Sequence, residues 1–164
     1  MHGVQVEAVV PAWMLADGEY VGLGPGDPVR TGFALAVTAA TGAGPYPETG
    51  ALEQNGDRPG LTTVRGRTAV VGRTVLLCVG SWALVLLTSG RVAPEVDLRV
   101  EGWLTVEPYL WLPDGELART RPDGRLGWTV ARVRAVDDAA HDIPRLPAEA
   151  DVDPDAAYVL DLTR

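Results

Sequence analysis

The chain has no lysine. All 14 of its basic residues are arginine, against 22 Asp and Glu, and the net charge is −8. Phe33, Asn55 and Ile143 are the single phenylalanine, asparagine and isoleucine. Ala, Gly, Val, Pro and Arg abound, the bias of a GC-rich genome such as a high-GC bacterium has. The missing lysine therefore reads as genomic rather than functional. The acid excess repels phosphate backbones and argues against a nucleic-acid partner. Cysteine is almost absent as well. Cys78 stands alone, which excludes an intramolecular disulfide and fits a reducing compartment. Serine is limited to Ser81 and Ser89; neither lies in G-x-S-x-G, and both are explained by hairpin turns. The opening MHGVQVEAVVPAW carries Glu7 and no basic cluster, so no secretory signal is read there and the expected location is the cytoplasm. No apolar run reaches the roughly 20 residues of a membrane helix, and no membrane is expected.

The longest nearly uncharged apolar run is Thr74 to Thr88, TVLLCVGSWALVLLT. Gly80-Ser81 divides it, and a two-residue Gly-X link suits a type II′ hairpin turn. Both faces of both halves are apolar, so the hairpin is expected to be covered on both sides. A single buried helix competes, because a short apolar run does not settle its period. The valines, Trp82 and the mid-run glycine favour strands.

Other strands follow from alternation: 4–10, 29–38, 61–71, 96–107, 127–136 and 157–162. The segment 96–107 alternates most clearly, with Val96, Leu98, Val100, Gly102, Leu104 and Val106 on one side. Gly102 could mark a bend around a barrel corner. Residues 39–60 carry five glycines and three prolines and read as a long mobile loop or insertion. One helical turn is allowed in 141–152, and no amphipathic helix is convincing. The expected fold is all-β: a single domain over 1–164, a small barrel or sandwich of about eight short strands, OB-like or SH3-like by analogy of pattern alone.

Few constellations carry chemistry. GLGPGDP at 22–28 lacks the Lys-Ser/Thr of a phosphate loop, and its prolines remove amide donors. Asp137, Asp138, His141 and Asp142 gather three carboxylates and an imidazole, and on a helical turn Asp137 and His141 would share a face, yet a metal site needs three protein ligands in fixed geometry. Asp151-Val-Asp153-Pro-Asp155 imitates the opening of a calcium loop but has Ala156 and Leu162 where Gly and Glu belong. No cofactor, no metal and no catalytic residue is assigned, and the reading leans away from an enzyme.

What remains is the odd-numbered side of 97–111. If parity survives Pro108, Arg99, Glu101, Trp103, Tyr109 and Trp111 line up opposite the aliphatic stripe. Large aromatics among charges suit an interface; the competing reading is a second small core. The expectation is a non-catalytic binding or interaction module of a cytoplasmic bacterial protein, meeting a protein partner or itself through this face. The alternative is a small-molecule-binding barrel or small enzyme with its site in the barrel mouth.

Overall fold

The computed structural model describes residues 3–42 and 51–164. Chain segments form two compact units, Met1–Arg30 with Gly127–Arg164, and Thr31–Leu126.

The second unit holds a closed barrel. Its strands are β3 (Phe33–Gly42), β5 (Leu61–Val71), β6 (Thr74–Val79), β7 (Trp82–Leu87) and β8 (Asp97–Val106). β8 lies between β3 and β5, antiparallel to both; β6 follows β5, β7 follows β6, and β7 returns to β3 in parallel. The barrel expected from the sequence is therefore the architecture found. The apolar run is the β6–β7 hairpin, with Val79 opposite Trp82 across the turn. Gly80 takes φ 57° and Ser81 stays at negative φ, which gives the II′ geometry rather than I′.

The hairpin is covered on both faces, as its composition demands. One face turns into the barrel: Leu77, Leu84 and Trp82 are buried there, as are Phe33, Leu35 and Leu104, and Trp82 stands edge-on to Phe33 at 5.6 Å. The other face, with Leu76 and Val85, packs under Trp111 and Leu117. Those two residues come from the excursion between β8 and the next strand, which contains a short helix α2 (Glu116–Thr120). The excursion is thus a lid of second-layer core. Gly102 sits opposite Val37 on β3, where a Cβ would come 2.2 Å from the Ala36 carbonyl oxygen, and the register of β3 shifts just beyond, between Val37 and Ala39. The corner assigned to Gly102 coincides with this bulge.

The expected strand 29–38 is two strands, β2 (Pro28–Thr31) and β3, parted at Gly32. In the Gly/Pro-rich stretch, residues 39–42 continue β3 and β4 (Ala51–Gln54) pairs with β5. Part of the expected loop is therefore sheet, drawn in by the long β5 and β8 beside it. Residues 43–50 of that stretch lie outside the described residues.

The first unit is an antiparallel array in the order β10-β9-β11-β1, with β2 also against β9. These are β1 (Gln5–Val10), β9 (Leu126–Val136), β10 (Ala140–Asp142) and β11 (Ala157–Thr163). Val6, Ala8 and Val10 are buried, as alternation required, beside Leu160 and Leu162. A five-residue helix α1 (Ala12–Ala16) buries Met14 and Leu15. On the opposite face Arg134 pairs with Asp161 and, at 3.3 Å, with Glu7, so a buried guanidinium is matched by two carboxylates. A 3-10 turn at Glu149–Asp151 is the one helical turn allowed in 141–152.

Candidate functional site

β8 presents Arg99, Glu101 and Trp103 on the outer face of the barrel, because Val100, Gly102, Leu104 and Val106 are buried on the other. Ladder partners extend that face. Trp103 lies between Leu61 and Ala36, Glu101 between Thr63 and Ala39, and Arg99 between Arg65 and Thr41. Trp103 is half-buried, and the Arg58 guanidinium carbon stands 5.7 Å from its ring centroid, within cation–π range. Arg58 comes from the turn entering β5, where the Leu61 amide donates to the Arg58 carbonyl. No sequence periodicity marked it, since it sits among breakers.

Beyond Pro108 the parity fails. Glu107 turns inward at 8% exposure, and its Oε1 accepts from the amides of Tyr109 and Leu110. That carboxylate caps a turn and rotates the chain. Tyr109 is consequently exposed at the end of the strand, whereas Trp111 is 1% exposed. The Trp111 indole donates to the Phe33 carbonyl at 3.0 Å, and its ring is flanked by Gly32 and Gly124, where any Cβ would collide at 2.1 and 1.9 Å. The expectation that Trp111 shares the face of Trp103 is therefore corrected: it is the core of the excursion. The face retains Arg99, Glu101 and Trp103, with Tyr109 at its end.

A second concavity lies on the same unit. The β6–β7 ladder stops at Leu76↔Val85, although β6 runs back to Thr74 and β7 on to Leu87. The two strands part there, because β6 stays paired to β5 and β7 to β3. The gap is a recess of about 830 Å³. Interior-facing Val75 and Leu86 line it together with outward-facing Val85 and Leu87, so it opens through the barrel wall. Val70, Leu87 and Leu110, exposed by 43%, 42% and 39%, converge on it from three separate elements. Arg73 and Arg91 stand on its rim. Neither falls on a period that the sequence alone would mark. Yet a hairpin over 74–87 necessarily brings residue 73 and the residues after 87 to one end.

Charged contacts elsewhere hold structure together. Arg121 donates twice to Asp123, at 3.0 and 2.7 Å, and through Nη1 to the Cys78 sulfur at 3.0 Å. The hydrogen-bonded Arg121 pulls the Asp123 carboxyl below its ordinary value, and Asp123 in turn raises Arg121. Cys78 is half-buried beneath this clamp rather than sealed in the core. In the first unit, Asp137 and His141 approach only to 4.0 Å and both are exposed. The Ala139 amide, ahead of His141, draws the Asp137 carboxyl down. Asp142 pairs with Arg132 at 2.6 Å. Among the described residues no three His, Cys, Asp or Glu side chains gather as a metal site, and no helix is long and apolar enough to cross a membrane.

Compared with known proteins, the sequence matches no family model, no curated protein and no solved structure.

Proposed function

We propose that the chain is a non-catalytic binding module that meets a protein partner, or a second copy of itself, through the outer face of β8. The observation carrying this reading is Trp103: a large ring held on the outer side of a strand whose inner side is spent on the barrel core, with a guanidinium over it. Tryptophan and arginine are the side chains on which interface energy concentrates. Arg99 and Glu101 lie beside it with opposite charges, suited to fixing orientation at a rim. The setting proposed is the cytoplasm of a bacterium, from the lone cysteine and the arginine-only basic set. The alternative is a small molecule held in the barrel mouth.

The test is Trp103→Ala. Association, measured by sedimentation of the pure chain and by pull-down with a bacterial extract, should fall by more than about 2 kcal/mol, while the melting temperature holds. A variant that melts much earlier yet associates as before would place Trp103 in the core and remove the proposal.

A further inference from the structure

The recess between β6 and β7 combines three features that the fold does not require. Its walls are aliphatic, and Val70, Leu87 and Leu110 there remain exposed. Its strands have parted, so Thr74-Val75 and Leu86-Leu87 no longer serve each other as ladder partners. Its charge is also of one sign. Arg73 and Arg91 are the charged residues lining it, with no Asp or Glu, on a chain whose acids outnumber its bases by 22 to 14. One acid stands at the Gly72 turn: Glu116 on α2, with Oε2 3.6 Å from where a Gly72 Cβ would lie. Among the described residues neither Arg73 nor Arg91 forms a salt bridge.

We infer that this recess receives an extended acidic segment of another protein, an aliphatic side chain seated among Val70, Leu87 and Leu110 and carboxylates held by Arg73 and Arg91. An apolar floor with cationic rims selects a chain that alternates aliphatic and acidic residues, since alternate side chains of an extended segment point opposite ways. Backbone groups released where β6 and β7 part offer such a segment main-chain hydrogen bonds, the means by which extended peptides add to open sheet edges. Arginine supplies two-pronged recognition of carboxylate, which a point charge does not. The volume is also that of an ordinary ligand site. This inference stands on the recess alone and is independent of Trp103.

The experiment uses the full chain, labelled with nitrogen-15, and an acetylated, amidated octapeptide of alternating aspartate and leucine. Saturable amide shifts are expected at Gly72, Thr88 and Gly90, weakening as salt is raised. The double variant Arg73→Gln/Arg91→Gln should bind at least tenfold more weakly with an unchanged melting temperature, because both side chains are exposed. Trp103→Ala should leave this binding intact, which separates it from the β8 face. An octapeptide of alternating lysine and leucine should not bind. Equal response to the lysine peptide, shifts confined to β8, no saturation at millimolar peptide, or binding that survives the double variant would each overturn the inference. Octanoate binding as tightly as the peptide would overturn the extended occupant in favour of a small carboxylate. Self-association abolished by the double variant would replace the foreign segment with a second copy.

Discussion

Removing Trp111 tests whether the excursion after β8 is a second layer of core. The ring is 1% exposed and packs on Leu76, Val85, Ala34 and Leu117. Truncating a buried tryptophan to alanine costs about 3–5 kcal/mol. The Phe33 carbonyl, whose indole donor at 3.0 Å is lost, adds about 1–3 kcal/mol unless water replaces it. In a domain of this size each kcal/mol lowers Tm by about 2–4 °C, so the packing loss alone should make Trp111→Ala melt roughly 6–20 °C early, and an unreplaced hydrogen bond adds about 2–12 °C. Urea melts followed by tryptophan fluorescence give the free energy, and thermal melts followed by circular dichroism give the shift in Tm. A sharper check uses Gly124, where a Cβ would stand 1.9 Å from Trp111 Cη2. Gly124→Ala should cost about 1–3 kcal/mol with Trp111 present and little once Trp111 is alanine. Equal cost in both backgrounds, or a Trp111→Ala loss under about 1 kcal/mol, refutes the packing argued here.

Leu77→Ala should cost about 2–5 kcal/mol in a urea melt, because Leu77 is fully buried within the barrel. Asp123 has a depressed carboxyl in the folded state, so its pairing with Arg121 stabilises above the ordinary value of 3.8. That contribution is lost as pH falls from there through the lower folded value. Asp123→Asn should therefore flatten the acid limb of stability measured from about pH 5 to about pH 2, an effect kept small by solvent screening. Arg58→Gln should leave Tm within about 1 °C, since the residue is exposed, yet red-shift Trp103 fluorescence as the ring loses its cover; an unchanged spectrum would mean the stacking does not persist in solution.

Most of the barrel was legible because its strands obey period two. β5 matches the expected 61–71 at both ends, and the hairpin turn fell where Gly80-Ser81 put it. The two-sided apolarity of 74–87 even implied a second layer, though not which segment supplies it. Missed elements are those too short to show a period: β4 has four residues and β10 has three. β4 forms because β5 offers an edge, and β10 because β9 folds back on it. No local propensity in ALEQ or AHD asks for a strand. The face of β8 was legible up to Val106. Trp111 was misplaced because parity was carried past Pro108, where the Glu107 carboxylate turns the chain. Arg58, Arg73 and Arg91 were missed for a common reason: turn residues carry no period, and only the closed barrel shows which of them are neighbours.

The parallel contact of β3 with β7 spans three residue pairs, Ala34↔Val85 to Ala36↔Leu87, fewer than any other ladder of the barrel. It also joins residues about fifty apart in sequence, whereas β5–β6 and β6–β7 are local hairpins. Ring closure at this seam carries the larger entropy cost for the smallest return in hydrogen bonds. The order of assembly follows. The β5–β6–β7 meander can form early, and the barrel remains an open, curled ribbon until β3 reaches β7. In the native protein the same seam has the fewest ladder pairs of the circumference, so hydrogen exchange should be slowest in β8 and β5 and fastest at Leu86 and Leu87. A cylinder stitched this way breathes along one line, and that line borders the recess.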